Sequence, residues 1–217
     1  MKRILVMTAV EAEKEAFLRG VRGDSRFDVH EAGVGPVSAA VSTAMVLSSS
    51  AFEYDLVVSA GIGGGFVGQA DIGSIVIASE SIAADLGAET PEGFTGVDKL
   101  GFGTNRLPVE EKLSSRWVEA LKADGQAVRY GPVLTLSTVT GTAETAALLA
   151  ERIPGAAAEA MEGYGVAEAA SRRGVPFVEI RAISNAVGPR DRAAWRIGDA
   201  LAALETASYH LLEAISS

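Results

Sequence analysis

Ser184 and Asn185 end an apolar, β-rich run, Pro176-Phe-Val-Glu-Ile-Arg-Ala-Ile-Ser-Asn185, just before Gly188 and Pro189. Such a strand delivers polar side chains to its carboxyl end, and in an open α/β sheet the crevice beyond that end is where ligands bind. The carboxamide of Asn185 offers a donor and an acceptor in one plane, the complement of the N7/O6 edge of a 6-oxopurine. An Asn that only turns the chain ahead of Gly-Pro leaves the same signature. Carboxylates are the other reactive candidates. Glu13 lies just past the first apolar run with Glu11 and Glu15 beside it. It reads either as a reactive group at a strand end or as one of several acids favouring a helix's first turn. Met161-Glu162-Gly163 separates the small-residue run Ala156 to Ala160 from a helical stretch. There the plain alternative is a helix-start Glu with Met161 in the core.

Glycines mark two further places of interest. Gly63-Gly-Gly65-Phe-Val-Gly68 satisfies the Gly-x-Gly-x-x-Gly pattern of dinucleotide sites, but it runs through Asp71-Ile-Gly73 into another strand rather than opening a helix. A pyrophosphate needs that helix N-terminus, so a nicotinamide cofactor is not expected. Gly61 to Gly65 either lets backbone approach a small ligand, with Gly64 at its centre, or makes a tight turn. Gly33-Val-Gly35 before Pro36 carries the same two readings.

These groups need a scaffold, and the chain is long enough for one. Its 217 residues, 48% hydrophobic and 22% charged, predict one globular domain over residues 1–217. A net charge of −9 disfavours a nucleic-acid backbone or an anionic membrane as partner. The chain has no cysteine, and His30 and His210 are its only histidines, so disulfides, thiol catalysis and a Cys/His zinc site are excluded. No metal or cofactor is expected, which leaves carboxylates as the catalytic groups. Glu11, Glu13 and Glu15 interrupt the apolar start too early for a signal peptide, and no apolar run reaches membrane-spanning length; a cytoplasmic protein is expected.

Strand patterns at 3–7, 56–59, 74–78, 133–137 and 177–184 alternate with helical patterns at 11–18, 36–49, 110–124, 142–152, 163–173 and 193–215. This predicts an α/β fold, a central twisted, mixed but largely parallel sheet flanked by helices. Residues 80–108 lack clear periodicity and are expected to form a long loop, a lid or an interface element.

Taken in order, Thr8-Ala-Val-Glu-Ala-Glu13, Ala32-Gly-Val-Gly-Pro36, Ser59-Ala-Gly-Ile-Gly-Gly64, Asp71-Ile-Gly-Ser-Ile-Val76, Met161-Glu162 and Arg181-Ala-Ile-Ser-Asn185 resemble the nucleoside phosphorylase and nucleosidase family. The likeness spans nearly the whole chain. It is strongest to the hydrolases of 5′-substituted nucleosides, the methylthioadenosine/adenosylhomocysteine nucleosidases and futalosine hydrolase. The resemblance implies a homo-oligomer acting on a small nucleoside. It makes Glu13 the acid that activates water, Glu162 the acid that grips the ribose hydroxyls and Met161 a residue packed beside the sugar. The adenosine-type nucleosidases carry Asp where this chain has Asn185, and a carboxamide suits a 6-oxo group better than a carboxylate does. Hypoxanthine is therefore the expected leaving group and futalosine the expected substrate, a nucleoside of menaquinone biosynthesis. Within the loop Ser184-Asn-Ala-Val-Gly-Pro-Arg-Asp-Arg192, Arg190 and Arg192 either meet the carboxylate on that substrate's 5′ extension or are surface arginines closing a loop. Phosphorolysis is the rival, and Ser59 stands where hexameric phosphorylases have Arg. A non-catalytic nucleoside sensor is disfavoured by the presence of both Glu13 and Glu162.

Overall fold

A computed structural model describes residues 3–216. In chain order it contains β1 (Ile4–Thr8), α1 (Glu11–Gly20), β2 (Phe27–Glu31), α2 (Pro36–Ser49), β3 (Leu56–Gly65), β4 (Ile75–Ala83), β5 (Gly87–Thr90), β6 (Gly93–Gly96), α3 (Val97–Leu100), β7 (Arg106–Pro108), α4 (Glu111–Ala123), β8 (Val128–Thr135), α5 (Ala143–Arg152), β9 (Ala158–Ala160), α6 (Gly163–Arg172), β10 (Phe177–Ala186) and α7 (Ile197–Ser216). No helix among the described residues is long and apolar enough to cross a membrane.

The sheet is mixed and largely parallel, and most of it closes on itself. β3 pairs with β10, β10 with β4, β4 with β8, β8 with β9, and β9 returns to β3. β1 and β2 extend the sheet from β3, and β7 lies antiparallel on β4. Strand residues are buried on both faces, which is why β1 reads as an unbroken apolar run. Ile4 and Val6 pack with α1, α4 and α7 around Trp117 and Leu204, whereas Leu5 and Met7 pack with α2 and α6 around Leu47 and Val166. Burying each such side chain contributes about 1.5–3 kcal/mol.

Three expectations need correction. The strand beginning at Leu56 runs on to Gly65, because its glycines extend the ladder onto β9 and β10 rather than turning the chain. Residues 80–108 are not a long loop: β4 continues to Ala83, β5 and β6 form a hairpin, and β7 returns to pair with Glu80, Ser81 and Ile82. The last helix begins at Ile197 rather than Ala193, preceded by a 3-10 turn at Arg192–Ala194 that Asp191 Oδ1 caps by accepting from the Ala193 N–H at 3.1 Å.

Helices α2 and α6 cross closely, and their contact brings the start of α2 to the start of α6. A β-carbon on Gly165 would lie 2.1 Å from the Pro36 carbonyl oxygen and 3.1 Å from the Ala40 nitrogen. Gly165→Ala should gain about 0.8–1 kcal/mol of helix propensity but lose about 1–3 kcal/mol or more to overpacking. A net loss is expected, lowering Tm by about 2–4 °C per kcal/mol for a chain of this size. Gly198→Ala, where the β-carbon would meet open space, is the matched control and should not lower Tm.

Candidate active site

One cation and three carboxylates meet in the interior beside the carboxyl end of β1 and the middle of β3. Arg181 is only 1% exposed, and each edge of its guanidinium is engaged. Its Nε donates to Glu179 Oε1 at 3.0 Å, Nη2 donates to Ser59 Oγ at 2.8 Å, and Nη1 donates to Glu162 Oε2 at 3.5 Å. Glu13 completes the group above Gly61, where a methyl would stand 2.6 Å from Glu13 Oε1 and 2.8 Å from Arg181 Nη1. Only a residue without a side chain leaves room for that meeting.

Glu13 uses one oxygen as the helix-start reading expects and extends the other across the site. Its Oε2 accepts from the backbone N–H of Ala9 at 2.8 Å and of Val10 at 3.3 Å, as an acid at the start of a helix does. Its Oε1 reaches across to accept from Ile62 N–H on β3 at 2.8 Å. Burial raises its pKa and outweighs these hydrogen bonds and the attraction of Arg181. The result is a carboxylate better suited to taking a proton than one in water. Glu162 sits at the N-cap of α6, yet its side chain does not cap that helix. Instead Oε1 accepts from Gly35 N–H at 3.1 Å and Oε2 from Met161 N–H at 3.3 Å. The close crossing of α2 and α6 is what brings Gly35 into reach.

Asn185 lies further along β10, beyond a register shift. Ile183 pairs with Gly63 and Asn185 with Gly64, leaving Ser184 as the extra residue of a bulge. Bulges re-aim side chains at strand ends. Ser184 is buried, and its hydroxyl lies 3.2 Å from the Gly63 carbonyl and 2.8 Å from Asn185 Oδ1. Asn185 Nδ2 donates to the Ala186 carbonyl at 3.0 Å. A methyl on Gly64 would lie 3.2 Å from that Nδ2, so Gly64 acts by leaving room for the carboxamide. With one more lone pair on Oδ1 and one more proton on Nδ2, the half-exposed amide still has a donor and an acceptor to present.

The structure therefore brings Glu13 and Glu162 together, with Met161 between β9 and α6 beside them and partly open. It sets Ser184, Asn185 and Gly64 at the neighbouring strand ends. Arg190 lies in the exposed loop after β10, its guanidinium 5.5 Å from the centre of the Trp195 ring and its N–H donating to the Gly141 carbonyl at 3.2 Å. Arg192 lies in the 3-10 turn that follows.

Sequence reading did not single out Arg181 and Glu179 as site residues. Their signal was present: Val178, Ile180 and Ala182 face the core on one side of β10, and two opposite charges two residues apart face the other. Charges in an otherwise apolar strand are buried only when paired. Glu159, which accepts from Thr140 N–H at 2.7 Å and pins the loop after β8, was also missed. A cleft of about 840 Å³ opens at the opposite strand ends between Ile4, Leu56, Glu110 and Arg116, away from all of these groups.

The chain is similar to known proteins over nearly its whole length. The model of the Phosphorylase superfamily matches residues 12–217. The futalosine hydrolase of Streptomyces coelicolor is 52% identical, over 99% of this chain and 97% of that protein. The futalosine hydrolase of Acidothermus cellulolyticus is 44% identical, over 94% of this chain and 87% of its own. Among solved structures, a 5′-methylthioadenosine/S-adenosylhomocysteine nucleosidase from Neisseria meningitidis in complex with methylthio-immucillin-A shares the fold at a TM-score of 0.83, with 21% identity over 98% of this chain and 99% of that one. The matched span holds Glu13, Glu162, Arg181 and Asn185 on one shared scaffold: the chain belongs to the phosphorylase superfamily.

Proposed function

We propose that the protein is an N-glycosyl hydrolase that cleaves futalosine to hypoxanthine and dehypoxanthinyl futalosine, a reaction of menaquinone biosynthesis. Full-length similarity to futalosine hydrolases supports the reaction, and the carboxamide of Asn185 beside Gly64 is the observation that carries the choice of base. In this reading Glu13 takes a proton from the attacking water as its oxygen bonds to C1′ and the bond from C1′ to N9 breaks. Positive charge grows on the sugar during that step, and Glu162, gripping the ribose hydroxyls with Met161 packed alongside, stabilises it. As the C1′–N9 bond breaks the base takes a proton from solvent on N7, and Asn185 holds that edge, Oδ1 accepting from N7–H and Nδ2 donating to O6, with the Ser184 hydroxyl fixing which way the amide points. Arg190, in the exposed loop after β10, is the residue assigned to the carboxylate of the 5′ substituent.

Phosphorolysis is disfavoured by the fate of the cation nearest Glu13. Arg181 is engaged on every edge, one of them by Ser59, and two negative carboxylates face the place where phosphate would have to sit. Futalosine turnover should accordingly be the same with and without phosphate, with dehypoxanthinyl futalosine as product; a 1-phosphate of that sugar in the product mixture would overturn the hydrolytic reading.

Asn185→Asp tests the base. A carboxylate would face O6 with an acceptor, and an unmade buried hydrogen bond costs about 1–3 kcal/mol, so kcat/KM for futalosine should fall at least about tenfold. Matched 6-amino nucleosides should lose far less. The readout is the ratio of the two efficiencies, and an unchanged ratio means that Asn185 does not read the base.

The working form in this proposal is a homo-oligomer. Val37, Val41 and Met45 form an exposed apolar stripe at four-residue spacing along α2, 76%, 55% and 66% exposed, continued by Val34. The stripe starts beside Gly35, so an assembled pair of α2 helices would also fix the Glu162 side of the site. Light scattering should give a mass above one chain for the wild type and a smaller species for Met45→Glu; a monomeric wild type would refute this.

A further inference from the structure

Glu179 is fully buried, 0% exposed, in the middle of β10, and no step of the proposed reaction uses it. Its surroundings are built to keep it there. Oε1 accepts from Arg181 Nε at 3.0 Å, and Oε2 accepts from Ser81 Oγ on β4 at 2.7 Å. The carboxylate also fills the place of a side chain on α6, since a β-carbon on Gly163 would lie 2.0 Å from Oε1. The first residue of α6 is thus a glycine that Glu179 requires.

The charges close the argument. Arg181 faces Glu13 from α1, Glu162 from the β9–α6 junction and Glu179 from its own strand. Arg181 and Glu162 are the charged groups that act on Glu13, together with the N–H groups of Ala9, Val10 and Ile62. Without Glu179, the single guanidinium would act on Glu13 and Glu162 alone, stabilising both as anions and weakening Glu13 as a base.

We propose that Glu179 is a positioning residue of the hydrolytic site: it holds Arg181 by its Nε edge and balances its charge, so that the guanidinium orients Glu13 and Glu162 without neutralising them. This rests on the reading of Glu13 as the base for water. Burial raises the pKa of Glu179, opposed by Arg181 and Ser81, and Arg181 stays ionised because the three carboxylates outweigh its own burial.

The experiment is the pH dependence of kcat/KM for futalosine in the wild type, Glu179→Gln and Ser81→Ala. The ionised base is needed for turnover, so activity falls on the acid side as Glu13 protonates. Glutamine still accepts from Arg181 through its oxygen and can donate from its amide nitrogen to Ser81 Oγ, reversing that bond, but it removes a negative charge, which leaves more of the field of Arg181 on Glu13. The acid limb should move down by about one pH unit, the shift one nearby charge produces, and the plateau of kcat should fall while Tm changes little. Ser81→Ala strips a hydrogen bond from the Glu179 carboxylate and favours its protonation, so it should move the limb the same way by less. It carries the test alone if the glutamine variant does not fold. A limb that stays in place while activity drops at every pH would mean that Glu179 only props the fold, and the inference fails while the hydrolase reading stands. A wild type that releases no base from futalosine overturns both.

Discussion

Everything at this site depends on keeping one guanidinium ionised where water does not reach. Removing one partner of a buried ion pair costs about 3–5 kcal/mol because the other charge is stranded. Arg181 avoids that by meeting three carboxylates and a hydroxyl at once. The partners come from α1, β3, the start of α6 and β10 itself, so the elements cannot shift independently without breaking the cluster. Gly61 and Gly163 are the spatial complement of this arrangement: each occupies a place where any side chain would run into one of the charged groups.

The bulge at Ser184 divides β10 into two halves with different tasks. Before it, strict alternation sends Val178, Ile180 and Ala182 to the apolar core and Glu179 and Arg181 to the charged side. A slip of one residue would exchange those faces and bury charges in hydrocarbon, so the register is strongly specified. After the bulge the pattern is released, and Asn185 can be set over Gly64 independently of the charge cluster. In the proposed reading, the residue facing the base can therefore change without disturbing Glu13.

Most of the scaffold was legible in the sequence because its elements carry strong periodicity. Pro36–Ser49 matches its helix residue for residue, and the strand starts at Leu56 and Phe177 are where the apolar runs begin. What escaped detection lacks local signal. β9 is the three residues Ala158–Ala160, held only by strands distant in sequence, and β2, Phe-Asp-Val-His-Glu, is a half-buried edge whose alternating charges resemble a loop. The glycines of β3 left a turn and a close approach to a ligand both open, because the groups that approach them, Glu13, Glu159 and Asn185, come near only when folded around them. The same limit applied to the site. Glu13 and Glu162 were singled out as candidates through the family resemblance and Asn185 by its departure from the family pattern, whereas Glu179 and Arg181 looked like part of a strand until their pairing was visible.

The charge balance bears on why water rather than an anion suits this site. Phosphorolysis needs positive charge that is free to meet phosphate, and a cation already held on all edges supplies little of it. Arg181 instead organises negative groups, with Glu13 and Glu162 facing the same place from two sides. An approaching anion is repelled there, while a neutral water is polarised and the growing positive charge on the sugar is welcomed. Burial acts in the same direction: it strengthens these fields and raises the proton affinity of Glu13. In the proposed reading, the interaction that holds the strands and helices in register is therefore also the one that favours water over an anion.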